Sequence, residues 1–327
     1  MHREGERRSL IAAGGLKMIT TVTLNAAIDK TYYIPGFGSN ALYRADETLA
    51  TAGGKGINVA RVIHALGEEV TATGFVAGYN GMAIVDMLRQ EGIQADFLSV
   101  SGESRLCLNI IDPVGGSQTE LLEAGPVITP EAIEAMKAKI EELASRSSHV
   151  VFSGSMPKGC GTDLYAELIH IARSQGAIPI LDTSGDALIA GIRSNPYLIK
   201  PNEHEVTKLM GGSADNEDEI VRAVQQLMKD GIPNVIVSLG ERGALAGCDG
   251  KLYDVSIPRV EAVNAVGSGD SMVAGLVVAD HRGCSPEERL KLGAACGTAN
   301  ALMPSAGMVK LSDVESLLRD IQVTCLS

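Results

Sequence analysis

The chain has 327 residues, enough for one large α/β domain with an appendage, and a formal charge of −12. With 3% aromatic residues and no tryptophan, it lacks the stacking groups of a single-strand nucleic-acid binder, and the acidic balance excludes a broad phosphate-backbone surface. An anionic ligand therefore needs a local cationic pocket.

Residues 1–18 read as a disordered extension, because Leu10–Leu16 is short and broken by Gly14-Gly15. The β-branched run Ile19–Leu24 opens the fold as a buried strand, and similar runs recur at Val70–Val76, His149–Phe152, Ile178–Leu181, Tyr197–Ile199 and Val235–Ser238. Between them Ile57–Leu66, Met82–Gln90, Glu131–Ala144, Leu164–Ser174 and Ile220–Met228 carry apolar residues at helical spacing. Strands alternating with helices imply a largely parallel sheet covered on both faces. Lys30–Thr51 and Arg105–Gly125 break that alternation and read as antiparallel strands, placed to form a lid over the sheet's ligand edge. From Asp270 onward the pattern is mostly helical. No apolar run approaches the roughly 18 residues that cross a membrane, and six scattered cysteines, without a C-x-x-C pair or zinc-ligand spacing, read as reduced cytoplasmic thiols.

Five segments fall at strand ends or lid boundaries, so one crevice can gather them: Asn25–Asp29, Gly53–Ala60, Ser153–Gly159, Lys200–Glu203 and Asn264–Gly275. In the last, Gly267, Ser268 and Gly269 open a helix whose first N–H groups make an anion site. A carboxylate there, Asp270, would repel a phosphate that is merely held, yet it suits phosphoryl transfer as the base that takes a hydroxyl proton. Read alone, Asp270 is more simply a helix cap. In Gly53-Gly54-Lys55-Gly56-Ile57-Asn58 the glycines let a ligand approach the backbone, Asn58 offers donor and acceptor, and Lys55 is either a phosphate partner or a solvated lysine. Lys200, Asn202 and Glu203 follow a strand, the latter two suited to phosphate oxygens or hydrated Mg²⁺. Gly56 stands where a Walker A loop needs Ser or Thr, and Met272 where a dinucleotide fingerprint needs its third glycine.

The segments AGGKGINVARVIHALG (52–67) and NAVGSGDSMVAG (264–275), with TLNAAIDKTYYI, SGSMPKG, LIKPNEHE and VIVSLGERGA, resemble the signatures of the ribokinase-like (PfkB) carbohydrate kinases. Within that family they are most similar to the branch of 1-phosphofructokinase, tagatose-6-phosphate kinase and the minor bacterial 6-phosphofructokinase. The resemblance runs from about Met18 to the C-terminus. It implies a three-layer α/β/α sandwich over residues 19–327, with lid strands from about 30–51 and 105–125 that also make a homodimer contact, and ATP with Mg²⁺ as cofactors. By the same resemblance Asp270 is the catalytic base and Gly267, Ser268 and Gly269 its anion hole. Asp29, Gly53, Gly54, Asn58 and Arg105 contact the sugar phosphate, with Lys55 and Lys158 as phosphate partners. Lys200, Asn202 and Glu203 serve nucleotide phosphates, the last two also the metal through water, and Ser238, Gly240 and Gly243 lie near the nucleotide. Ala26-Ala27 depart from relatives that often carry proline there, which leaves Asp29 in place.

The expected activity is transfer from ATP to tagatose 6-phosphate or fructose 1-phosphate, giving a ketohexose 1,6-bisphosphate. ESRLCLNI, TELLEAGP and SGSMPKG lean toward the tagatose-6-phosphate branch. The competing expectations are a kinase of an unphosphorylated sugar or nucleoside, and a non-catalytic sugar-phosphate sensor, which has no use for an acid beside an anion hole.

Overall fold

The structure, a computed structural model, describes residues 17–45, 47–210 and 217–326. Most of the N-terminal extension expected at 1–18 therefore lies outside the described residues, while Met18 already begins the first strand.

Among the described residues an 11-stranded sheet runs through the molecule. Its centre is parallel: β1 (Met18–Thr23) lies between β4 (Val70–Ala77) and β9 (Ser147–Ser153), followed outward by β10 (Ile178–Asp182), β11 (Leu198–Ile199) and β12 (Asn234–Ser238). Beyond β4 lie β5 (Gln94–Ala95) and β6 (Leu98–Val100), also parallel. Successive residues alternate between faces, as strand geometry requires: Ile19, Val151 and Ile180 enter one core, and Val22, Val150, Phe152 and Leu181 the other.

One face is covered by α1 (Lys55–Ala65), α2 (Gly78–Gln90), α8 (Ser268–His281), α9 (Pro286–Ala301) and α10 (Leu311–Asp320). The other carries α3 (Pro130–Ser145), α4 (Leu164–Ser174), α5 (Gly185–Ile192), α6 (Glu203–Met210) and α7 (Glu217–Lys229). The three-layer sandwich follows. Ser285 starts α9 with a full capping box and Pro286 in its first turn. Residues 270–279 of α8 are all buried, so this helix lies inside the protein rather than on it. Its close packing on α9 depends on small residues, since a Cβ on Gly275 would come within 2.6 Å of the Leu292 carbonyl oxygen.

The sheet extends further than the sequence pattern indicates. A hairpin of β13 (Ala244–Cys248) and β14 (Lys251–Ser256) continues it antiparallel from β12, and β15 (Gln322–Cys325) adds the edge to an otherwise helical C-terminal third. The expected lid is a separate four-stranded sheet in the order β3 (Thr48–Gly53), β2 (Ala27–Tyr33), β7 (Arg105–Asp112), β8 (Ser117–Leu122). The expectation of purely antiparallel strands is corrected here: β2–β3 and β7–β8 are antiparallel, but β2 and β7 run parallel, with Asp29 beside Cys107. The cause is topological. β2 leaves the end of β1 and β7 enters from the same side after the α2–β6 excursion, so both start at the sheet edge and point away from it. All six cysteines are free.

Candidate active site

The C-terminal ends of the parallel strands, where open α/β sheets bind ligands, collect most of the singled-out residues. Gly267 caps α8 in the left-handed conformation at φ 84 and contributes no side chain. The helix thus starts without any carboxylate cap, and Asp270, one turn in and 6% exposed, instead accepts a hydrogen bond from Asn58 Nδ2 at 2.8 Å. Burial pushes its carboxyl up to about 6 against the lowering charge of Lys55, and the negative charge of Asp182 adds to the rise. The Asn58 hydrogen bond and the Lys200 charge pull the other way. Ser268 directs its N–H to the Ala265 carbonyl at 3.2 Å. That leaves the amides of Gly267 and Gly269 without a partner among the described residues.

Lys55 keeps 41% of its side chain exposed, yet its ammonium is paired within the site. Its Nζ lies 3.3 Å from Asp182 Oδ2, and Lys200 Nζ approaches Asp182 Oδ1 at 3.7 Å from the other side. Asp182 is 2% exposed. Burial alone would raise its carboxyl, but the two ammonium groups outweigh it and hold the group below the usual carboxylate range. Lys55 is pulled up in turn, chiefly by Asp182. Lys200 is also aimed at the glycine turn, since a Cβ on Gly269 would sit 3.0 Å from its Nζ. Two cations and two carboxylates therefore face each other across the start of α8. Asp182 was missed in the sequence, although its place at the last residue of a parallel strand is the signal that could have found it.

On the lid side, Asp29 lies directly over Gly53, where any Cβ would collide with its carboxyl group. Burial raises Asp29, opposed by the charges of Arg105 and Arg61 and by a hydrogen bond from Cys107, whose own thiol burial pushes up to about 11. Gly54, at φ 109, turns the chain into α1. Arg105 Nε donates to the Asn25 carbonyl at 3.1 Å, and Asn25 Nδ2 reaches Ala124 O and Ser155 Oγ at 3.4 and 3.3 Å, so the first strand end, the lid and the Ser153–Gly159 loop meet at one residue. Lys158 is exposed, and only its carbonyl is engaged, by Ile128 N at 2.8 Å. No hydrogen bond or ion pair draws its ammonium into the crevice among the described residues.

The residues expected beside the nucleotide form a second group. Asn202 and Ser238 bridge neighbouring strand ends. Asn202 Oδ1 accepts from Glu205 N at 2.8 Å while Glu205 Oε2 accepts from Asn202 N at 2.9 Å, a reciprocal cap at the start of α6. Glu203 pairs with Arg242 of the short turn Gly240–Arg242 at 2.5 Å. Gly243, at φ 87, has a packing reason to be glycine, because a Cβ would strike the Val255 carbonyl. No group of three or more metal-ligating side chains clusters among the described residues. Asn202 uses its carbonyl in the cap, and one oxygen each of Glu205 and Glu203 is held by the cap and by Arg242, which leaves the second oxygen of either carboxylate. Such a donor set would fit Mg²⁺ that keeps much of its water, rather than a closed protein cage. No helix of the described residues is long and apolar enough to cross a membrane.

Against this geometry, the sequence profile of the pfkB family carbohydrate kinases matches residues 21–310. A tagatose-6-phosphate kinase of Staphylococcus epidermidis is 38% identical over 309 residues, covering 94% of this chain and 99% of that protein. Phosphofructokinase-2 from Escherichia coli, solved with fructose-6-phosphate, superposes with a TM-score of 0.87 at 28% identity, covering 93% of this chain and 99% of that one. A ribokinase from Arabidopsis thaliana, complexed with ribose and ATP, shares the fold at a TM-score of 0.75 and 22% identity, over 93% of this chain and 99% of that one. With its signature segments gathered at one sheet edge and the family profile spanning nearly the whole fold, the chain belongs to the pfkB family of carbohydrate kinases.

Proposed function

We propose that the protein transfers a phosphoryl group from ATP to a ketohexose phosphate, tagatose 6-phosphate or fructose 1-phosphate, to give the 1,6-bisphosphate. The observation that carries this is the buried Asp270 beside two unpartnered amides at the start of α8, faced by two ammonium groups that Asp182 holds. A carboxylate near pH 6 is mostly ionised at neutral pH and can accept a proton. Asp270 takes it from the acceptor hydroxyl as that oxygen bonds to the γ-phosphorus and the bond to ADP breaks. The amides of Gly267 and Gly269, with Lys55 and Lys200, stabilise the charge on the transferring oxygens. Glu203 and Glu205 would hold hydrated Mg²⁺, which would supply charge neutralisation at the nucleotide phosphates. Ser238, Gly240 and Gly243 border the nucleotide.

Asp29 and Asn58 hold sugar hydroxyls over the bare backbone of Gly53 and Gly54. Because Lys55 is engaged at the transferring end, Arg105 and the exposed Lys158 are left to bind the acceptor's own phosphate. The relatives' substrates support that choice. We also propose a homodimer through the lid in a cytoplasmic setting, supported by Leu121 and Leu122 exposed on the edge strand β8. A monomeric mass by light scattering at working concentration contradicts the dimer.

The test is ATP consumption by purified protein with Mg²⁺ and fructose 1-phosphate, tagatose 6-phosphate, fructose 6-phosphate, fructose or ribose, ranked by kcat/KM. A ketohexose phosphate should lead. Activity confined to unphosphorylated sugars overturns the proposal, and no ATP consumption with any of them favours a sensor.

A further inference from the structure

Arg61 lies one turn along α1 from Asn58 and is 8% exposed. An arginine so deep must satisfy its donors within the protein. Nε and Nη2 hold the two oxygens of Glu91 at 2.7 and 3.2 Å, and Nη2 also reaches the Ala52 carbonyl at 2.8 Å. Nη1 reaches Asn58 Oδ1 at 3.3 Å and the Ala306 carbonyl at 3.4 Å. The guanidinium thus ties three segments that border the acceptor site: the residue before Gly53-Gly54, the end of α2, and the turn at Ala306-Gly307. That turn presses on Asn58 so closely that a Cβ on Gly307 would lie 2.6 Å from Asn58 Cα.

A primary amide has nearly the same shape at both ends, so packing alone does not decide which end of Asn58 meets Asp270. Chemistry does. A guanidinium has donors and no acceptor. Turned the other way, the amide would set its N–H₂ against a cation and its oxygen against the Asp270 carboxylate. We infer that Arg61 is a positioning residue for the transfer reaction, its clamped guanidinium holding the oxygen of Asn58 so that the amide N–H₂ always faces Asp270. The chemical importance of this link rests on the proposed role of Asp270; the link itself does not.

The other account makes Arg61 a buried ion pair that only joins α1 to the end of α2. The charged groups facing Asp270 are Lys55 from α1, Asp182 from the end of β10 and Lys200 from the loop after β11. None of these side chains hydrogen-bonds Arg61 among the described residues. A change at Asp270 on removing Arg61 therefore travels through Asn58 or as bare charge, and a mutant cycle separates these routes.

The experiment is a 13C NMR titration of the Asp270 carboxyl, with aspartate labelled at its side-chain carboxyl carbon and the signal assigned by its loss in Asp270→Asn. In Arg61→Met the titration midpoint should rise by about one pH unit, the scale of one weakened hydrogen bond to a charged group. Arg61→Lys, which keeps a donor-only cation, should recover part of that rise. In an Asn58→Ala background, Arg61→Met should move the midpoint no further. An unchanged midpoint in Arg61→Met, or an equal rise in both backgrounds, overturns the inference. If Arg61→Met does not fold, Glu91→Gln replaces it. That variant loosens the guanidinium and keeps its charge, so it should raise the midpoint less but in the same direction, and no rise overturns the inference. The readout is a titration rather than turnover, so it stands whether or not Asp270 is the base; turnover of Asp270→Asn decides that separately.

Discussion

Two aspartates on the same buried helix are treated in opposite ways. Asp270 lies in the first turn of α8 and Asp280 in the last, roughly 15 Å apart at helical rise. The helix dipole favours a carboxylate at the N-terminus and opposes one at the C-terminus, so backbone alone would stabilise the charge on Asp270 and destabilise that on Asp280. The side chains reverse this order. Asp280 receives His149 Nε2 at 2.9 Å, Tyr197 OH at 2.8 Å and Arg289 Nη1 at 2.5 Å. Burial works against its charge, but the His149 hydrogen bond, the nearby charges of His149 and Arg289 and the Tyr197 hydroxyl hold its carboxyl well below the usual range. Asp270 has one side-chain donor, Asn58, and is pushed up to about 6 by burial. A fully saturated carboxylate is a poor base, whereas an undersatisfied one retains affinity for a proton. One end of α8 thus carries a saturated carboxylate, and the other an undersatisfied one suited to the proposed chemistry.

The largest effect should come from breaking the chemical end. Asp270→Asn is expected to lower turnover about 10²- to 10⁴-fold, the usual share of a positioned base, while calorimetry still detects acceptor binding. Breaking the structural end should do the reverse. Asp280→Asn leaves Arg289 and His149 around an uncharged amide, and denaturant unfolding should show a loss of about 3 kcal/mol with kcat per folded molecule unchanged. The sign with pH follows from a depressed carboxyl: its stabilisation is present above the unfolded value of 3.8 and is lost as pH falls below it, so wild type and Asp280→Asn should converge in acid.

Arg105→Ala sharpens the comparison on the acceptor side. Acceptor KM should rise about 10- to 100-fold, the scale of a lost charged hydrogen bond, with KM for ATP little changed. The smallest effect is on stability. Because burial raises Asp270, its ionised form disfavours the fold above about pH 6. Asp270→Asn should therefore raise Tm by a few degrees at pH 8, and the gain should fade below pH 6, where wild type is protonated.

Much of the site was legible because its parts carry local signals. Glycine turns beside predicted helix starts exposed Gly53, Gly54, Lys55 and Asn58, and an acid directly after the glycines that open α8 exposed Asp270. Residues whose meaning depends on distant partners were not legible. Asp182 sits in an ordinary strand end, and only the fold brings Lys55, 127 positions away, against it. Arg61 carries no local signal, and its partner Ala306 arrives from 245 positions away. The alternating α/β pattern gave the central sheet, but β13 has no β-branched residue in ALAGC and β15 is too short, in QVTC, to show a period. The parallel pairing of β2 with β7 escaped for a different reason: alternation reports which face a strand buries and says nothing of its partner's direction.

The most direct test of the account is the pH dependence of kcat/KM for the best acceptor, in wild type and in the residual activity of Asp270→Asn. The account predicts that wild-type activity falls in acid with a midpoint near 6 and that this limb is absent from the variant. A limb that persists unchanged in Asp270→Asn, or a variant with near-normal turnover, would contradict it.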